Sequence, residues 1–136
     1  MKIYIIGLMG GKTDLGWPQF DESKRKLLNQ GHEVISPADI DKERGVTPQW
    51  FSGLSKEESD EFLHKTILLD LELIKSCDAV YHMKGWRESM GFCFVEHWYA
   101  RRLKKFRIYE DEKENEEFYE LEDRLRGKTK KNGENT

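Results

Sequence analysis

The sequence predicts an α/β fold: a small doubly wound, Rossmann-like parallel sheet of about four to five strands with helices on both faces. Three observations carry this. Lys2 to Ile6 is a short apolar run rich in β-branched residues that ends at Gly7, the signature of a buried central strand. Further such runs alternate with helical patterns along the chain, which implies crossover connections. Helix start and stop signals, Trp17-Pro18 with Gly31 and Ser55 with Glu58, fall between the runs.

Taken in order, the strand at 2–6 leads into the glycine-rich loop Gly7-Leu8-Met9-Gly10-Gly11. Trp17-Pro18-Gln19-Phe20 opens a helix with proline in its first turn, and Gly31 caps its end. His32 to Ser36 forms the second strand, which Pro37 stops. Residues 37–54 read as loop, with a charged cluster of Asp39, Asp41, Lys42, Glu43 and Arg44. Ser55-Lys-Glu-Glu58 has the capping-box pattern and starts a long helix running to about Ser76. Asp78 to Met83 is the third strand, 84–89 a loop, 90–104 a helix and Phe106 to Tyr109 the fourth strand. The α/β domain thus spans 1–109. Residues 110–126 are mostly charged, with Phe118, Tyr119, Leu121 and Leu125 at helical spacing. Residues 127–136 carry no large apolar side chain and are expected to be disordered.

Hydrophobic residues make up 37% and charged residues 36%, the balance of a soluble globular chain with a charged surface. A net charge of −3 argues against a general nucleic-acid binder. No apolar run approaches the roughly 20 residues that span a bilayer, and the N-terminus lacks a signal-peptide pattern. A cytoplasmic protein with no membrane partner is expected, with Cys77 and Cys93 as free thiols.

In open α/β sheets, ligands bind beyond the C-terminal ends of the strands. The loop with Gly7, Met9 and Gly10, the segment around Pro37 to Asp41, with Asp39, and the loop from Gly85 and Trp86 to Ser89 and Gly91 all land there. Leu63, Ile67, Leu71 and Ile74 form an apolar stripe on the long helix, and Asp70 lies along its edge, facing inward. An inward carboxylate needs a partner or a proton, so it fixes structure or serves a site. Glu96 follows the Ser89 turn on the next helix. By itself, its pattern better suits a surface residue paired with Arg101 or Lys104. Ser89 suits a helix cap, with or without an anion at the helix N-terminus. The glycine loop is neither a P-loop nor a dinucleotide fingerprint. His32, His64, His82 and His97 show no metal spacing, Cys93 and His97 lack a second ligand pair, and no cofactor or metal is expected.

With these residues placed, the chain resembles the nucleoside 2-deoxyribosyltransferase superfamily, in its small phage and bacterial branch. The resemblance rests on Lys2-Ile-Tyr-Ile-Ile-Gly7-Leu-Met-Gly10, Trp17-Pro-Gln-Phe20, Gly31-His-Glu-Val-Ile-Ser-Pro37-Ala38, Cys77-Asp78-Ala-Val, Gly85-Trp86, Ser89-x-Gly91, Glu96 and Ala100, over about residues 2–109. It implies an N-glycosidic bond as target. Glu96 matches the nucleophile that forms a glycosyl-enzyme intermediate. Asp70 matches the acid of the similar 2′-deoxynucleoside 5′-phosphate N-hydrolases, and Ser89 and Gly91 match their phosphate-contacting turn. The tyrosine of their first loop is missing, and Lys12 or Trp17 stands nearest to replace it. The family places its Glu about four residues after the turn glycine; here Glu96 is five residues after Gly91, which turns a side chain by about 100° on a continuous helix. Catalysis by Glu96 therefore requires the helix to begin one residue later or to bulge.

The resemblance implies cleavage of a nucleoside 5′-monophosphate or nucleoside, in the host cytoplasm if the gene is a phage's, by a homodimer or larger homo-oligomer. The long helix agrees with the last point, since Phe62, Leu69 and Leu73 give it a second apolar side. The alternatives are a base-exchanging deoxyribosyltransferase and a non-catalytic nucleotide-binding protein on the same fold.

Overall fold

The computed structural model describes residues 1–9, 12–89 and 91–115. Four parallel strands, β1 (Lys2–Ile6), β2 (Glu33–Ile35), β3 (Ala79–His82) and β4 (Phe106–Tyr109), form one sheet in the order β2-β1-β3-β4. The chain steps outward from β1 to β2, then crosses back over β1 to β3. The topological switch point therefore lies between β1 and β3, where Ile3 pairs with Ala79 and Ile6 with His82.

Alternation along the strands sends side chains to two cores. Ile3, Ile5, Ala79 and Tyr81 face α1 (Trp17–Asn29), against Phe20 and Leu27. Tyr4, Ile6, Val80 and Tyr109 face the other side, against Ile74 of α4 (Lys56–Lys75) and Cys93 and Ala100 of α5 (Phe92–Arg102). Each fully buried isoleucine contributes about 1.5–3 kcal/mol, so the β1 run alone is a large share of the stability of so small a domain. Helices thus cover both faces, as expected.

The long helix obeys its sequence signal closely. The Ser55 hydroxyl accepts from Glu58 N at 3.1 Å, and the Glu58 carboxylate accepts from Ser55 N at 2.9 Å. Gly31, at φ 90°, follows α1 and lets the chain reverse into β2. The expectation of loop over 37–54 is corrected: α2 (Pro37–Glu43) and α3 (Pro48–Ser52) occupy most of it. Each starts with proline in its first turn, where the missing N–H costs nothing. The 84–89 loop also contains a single 3-10 turn, Trp86–Glu88.

Most of the helix expected over 110–126, and all of the tail expected to be disordered at 127–136, lie outside the described residues. Within 110–115 the chain turns back on the domain. Glu114 accepts from Trp86 Nε1 at 3.0 Å, and the Asn115 amide bonds both the N–H and the C=O of Tyr109 at 3.0 Å. Among the described residues, no helix is long and apolar enough to cross a membrane.

Candidate active site

The structure brings Asp70 and Glu96 together. Each is 4% exposed. Asp70 comes from the centre of α4's inner line, Thr66–Asp70–Ile74, rather than from the edge of the apolar stripe. Glu96 comes from the inner line of α5, with Cys93, His97 and Ala100. The two carboxyl groups are hydrogen-bonded to each other, and the Tyr4 hydroxyl donates to Glu96 Oε2 at 2.5 Å.

α5 begins at Phe92, and Glu96 turns inward rather than toward Arg101 or Lys104. Its neighbours Phe94, Val95 and Trp98 are exposed. The helix is thus inverted at this point, with polar side chains inside and apolar ones outside.

Two carboxyls in contact within a dry site cannot both ionise readily. Burial is the main cause that raises both; the charge and hydrogen bond of Asp70 push Glu96 up further, while hydrogen bonds from Glu96 and Tyr4 pull Asp70 back down. The pair therefore retains a proton near neutral pH. Burial likewise drives the Tyr4 hydroxyl well above the ordinary phenol range, so it remains a donor.

A third carboxyl stands close by. Asp41 on α2 is buried, and burial pushes it up to about 6 against the opposing pull of Arg44. Arg44 Nη1 lies 3.8 Å from Asp41 Oδ1 and donates to Thr66 Oγ1 at 2.9 Å, one turn before Asp70 on α4. The guanidinium also covers the Phe62 ring at 4.6 Å. Sequence reasoning did not assign Tyr4, Asp41 or Arg44 to the site. A tyrosine inside a fully buried strand was the available signal for Tyr4, because its hydroxyl must find a partner.

The remaining expected site residues fall into separate places. Gly7 ends β1 where an added Cβ would meet Met83 Sδ at 2.6 Å and Phe20 Cζ at 2.9 Å, so close packing explains this glycine. Met9 and Trp17 pack on the α1 side, with Lys42 Nζ 5.2 Å from the Trp17 ring centroid. Asp39 is held by Lys24 of α1 at 2.6 Å. Gly10 lies outside the described residues.

Gly85, at φ 85°, opens the 3-10 turn. Trp86, at 2% exposure, offers no open face for a base; it packs on His82, His97 and Tyr109. Ser89 is buried, and its hydroxyl accepts from Cys93 N at 3.2 Å, the local cap of α5. Gly91 precedes the first residue of that helix.

Two buried histidines lie beside this turn. His82 Nδ1 is 3.1 Å from the Ile108 carbonyl, which can only accept, so that nitrogen carries the proton. Its Nε2, 2.9 Å from His97 Nδ1, must then accept from His97. Burial lowers both, to about 3 for His82 and about 4 for His97, so each is neutral at pH 7. Among the described residues, no group of three or more acidic, histidine or cysteine side chains is arranged to hold a metal ion. A cleft of about 660 Å³ between α1 and β3, lined by Ser23, Lys26, Tyr81 and Glu110 among others, does not border the carboxyl pair.

No curated protein matches the chain. Residues 1–109 match a single family throughout, the same span as the α/β domain with its Tyr4, Asp70 and Glu96 constellation. The chain belongs to that family, described as a domain of unknown function, DUF4406.

Proposed function

We propose that this protein cleaves the N-glycosidic bond of a nucleoside 5′-monophosphate, or of the nucleoside, through a glycosyl ester on Glu96. The observation that carries the reading is the buried Tyr4–Glu96–Asp70 constellation beside the switch point of the sheet. Resemblance to the deoxyribosyltransferase superfamily and its N-hydrolases, position by position at Asp70, Ser89 and Glu96, supports it.

Binding of the sugar parts the two carboxyls. They touch in this structure, whereas retaining glycosidases keep about 5 Å between acid and nucleophile. A Glu96 oxygen then bonds the anomeric carbon as the C–N bond breaks. The bonding pair leaves with the base, which takes the proton of Asp70. Water next attacks the same carbon and gives its proton to the Asp70 carboxylate. The ester bond breaks, and the Glu96 carboxylate and Asp70 acid are restored. Tyr4 steadies the ionised Glu96 by donating to it. The turn at Ser89 and Gly91, at the start of α5, holds the 5′-phosphate.

The working form is a homodimer or larger homo-oligomer in the cytoplasm. The apolar side chains Leu68 and Leu69 on α4 and Phe94, Val95 and Trp98 on α5, exposed on two helices that pack together, support an interface there.

A second reading, a nucleotide-binding protein without chemistry, is favoured by one observation: Glu96 is 4% exposed and already satisfied by Asp70 and Tyr4. Incubation with a panel of ribo- and deoxyribonucleotides separates the two. Free base released by the wild type and not by Glu96→Ala supports cleavage; binding without release supports the second reading.

A further inference from the structure

We infer that the chain beyond the family domain completes the site: Glu114 is a positioning residue that acts through the Trp86 indole to hold the turn carrying Ser89 and Gly91. The inference rests on the glycosidic reading above for the turn's role as a phosphate site, though not for its physical effect.

The family match ends at residue 109, the last of β4. Residues 110–115 do not leave the domain. Glu110 N donates to the His82 carbonyl at 2.8 Å, and the Glu110 carboxylate accepts from Lys84 N at 2.9 Å, just past the end of β3. Asp111 then turns the chain. Its carboxylate accepts from Lys113 N at 3.1 Å and its carbonyl from Glu114 N at 2.9 Å. The Asn115 amide fastens the end of this turn to the Tyr109 backbone. One Glu114 oxygen is thereby set 3.0 Å from Trp86 Nε1 and 3.6 Å from Arg87 Nε.

Trp86 is the handle of the site's turn. Backbone bonds from Glu88 N to Gly85 O at 2.9 Å and from Ser89 N to Trp86 O at 3.3 Å fix the turn's local shape, but not its tilt against the domain. The buried indole sets the tilt. It packs on His82, His97 and Phe94 with ring centroids 4.6, 4.8 and 5.3 Å away. Phe94 and His97 bracket Glu96 on α5, and Ser89 Oγ accepts from Cys93 N at 3.2 Å, so the indole, the turn and the start of α5 form one connected unit. An indole has a single polar atom, a donor, and a buried donor without an acceptor is costly. The Glu114 carboxylate supplies that acceptor and also draws Arg87 over the ring, its guanidinium 5.0 Å from the centroid. Without it the indole tips toward water to satisfy its N–H, and the turn tips with it.

Proton–nitrogen NMR of the full chain without substrate tests the physical effect, with Trp86→Phe assigning the indole signal. In Glu114→Ala the indole, Ser89 and Gly91 N–H signals should move together. Glu114→Asp, which withdraws the carboxylate by one carbon, should move the same signals in the same direction by less. Glu114→Gln, which keeps an acceptor oxygen in place, should leave them near their wild-type positions. Titration with nucleoside 5′-monophosphates and the matching nucleosides tests the purpose. Glu114→Ala should weaken the nucleotides by about tenfold, the worth of one hydrogen bond, and leave the nucleosides unchanged, with Glu114→Gln close to wild type. A contact that only stabilises the fold would lower the denaturation midpoint and leave that ratio alone, and this result overturns the inference. So do unmoved Ser89 and Gly91 signals in either Glu114→Ala or Glu114→Asp. A wild-type Trp86 indole that exchanges with water as fast as free tryptophan overturns it too, with no variant needed. Failure of the glycosidic reading looks different: the signals move as described, yet the wild type binds no nucleotide and releases no base.

Discussion

At the level of single residues, buried titratable groups make stability depend on pH in two opposite ways. Asp41 and Asp70, raised to about 6 and about 7, bind protons more tightly folded than unfolded. Their contribution is complete below the ordinary carboxylate pKa of about 4 and is lost as pH rises through those two values. Asp70→Asn should flatten the loss between pH 4 and 7, by on the order of 2 kcal/mol, in denaturant unfolding followed across that range. His82 and His97 are depressed, so their contribution is complete above an ordinary pKa of about 6.5 and is lost as pH falls through about 4 and about 3. His97→Gln should remove part of the acid sensitivity and leave the alkaline side alone. Cys93, pushed up to about 12 mainly by burial, should resist alkylation at pH 8 while the protein is folded; rapid labelling by mass spectrometry would contradict its placement.

The same residues show what a sequence can and cannot reveal. The inward direction of Asp70 follows from helical phase, although the structure puts it at the centre of the buried line. Glu96 was legible only through family resemblance. Local pattern pointed the other way, because α5 exposes Val95 and Trp98 and buries Glu96 and His97. Amphipathic reasoning assumes apolar side chains turn inward, and a helix carrying a polar site beneath an apolar outer face reverses that assumption. Asp41 and Arg44 were hidden because a seven-residue helix is too short to show a period.

At the level of elements, β1, β3, β4, α1 and α4 follow their sequence signals to within a residue or so at each end. These signals are local: β-branched runs, proline at a helix start, a capping box. The box gives a direct check. Ser55→Ala removes the acceptor for Glu58 N and should lower stability by about 1 kcal/mol in chemical denaturation, with Glu58→Ala similar and the double variant less than additive. An effect below about 0.2 kcal/mol would mean that packing alone sets the start of α4. What local signals missed, α2 and α3, is held largely by long-range contacts: Lys24 to Asp39, Arg44 to Thr66, and Arg44 on Phe62.

At the level of the whole molecule, strand order explains why three chain segments far apart in sequence meet. Tyr4 lies on β1, Asp70 on the crossover helix to β3, and Glu96 on the helix that leaves β3. The exposed side chains of α4 and α5 lie on the outside of those two site-bearing helices, so assembly through them would brace the carboxyl pair. Trp98→Glu should weaken self-association by about 2 kcal/mol or more, read by sedimentation over a concentration series. A wild type that is monomeric throughout that series would contradict the proposed interface.

The central claim is that Glu96 and Asp70 carry out glycosidic chemistry. Its most direct measurement is chromatographic detection of free base after incubation with nucleoside 5′-monophosphates, both ribo and deoxyribo. The account predicts base release by the wild type, loss of about 10²-fold or more in Asp70→Asn, and none detectable in Glu96→Ala. Binding of a nucleotide with no base released by the wild type, or release undiminished in Glu96→Ala, would contradict it.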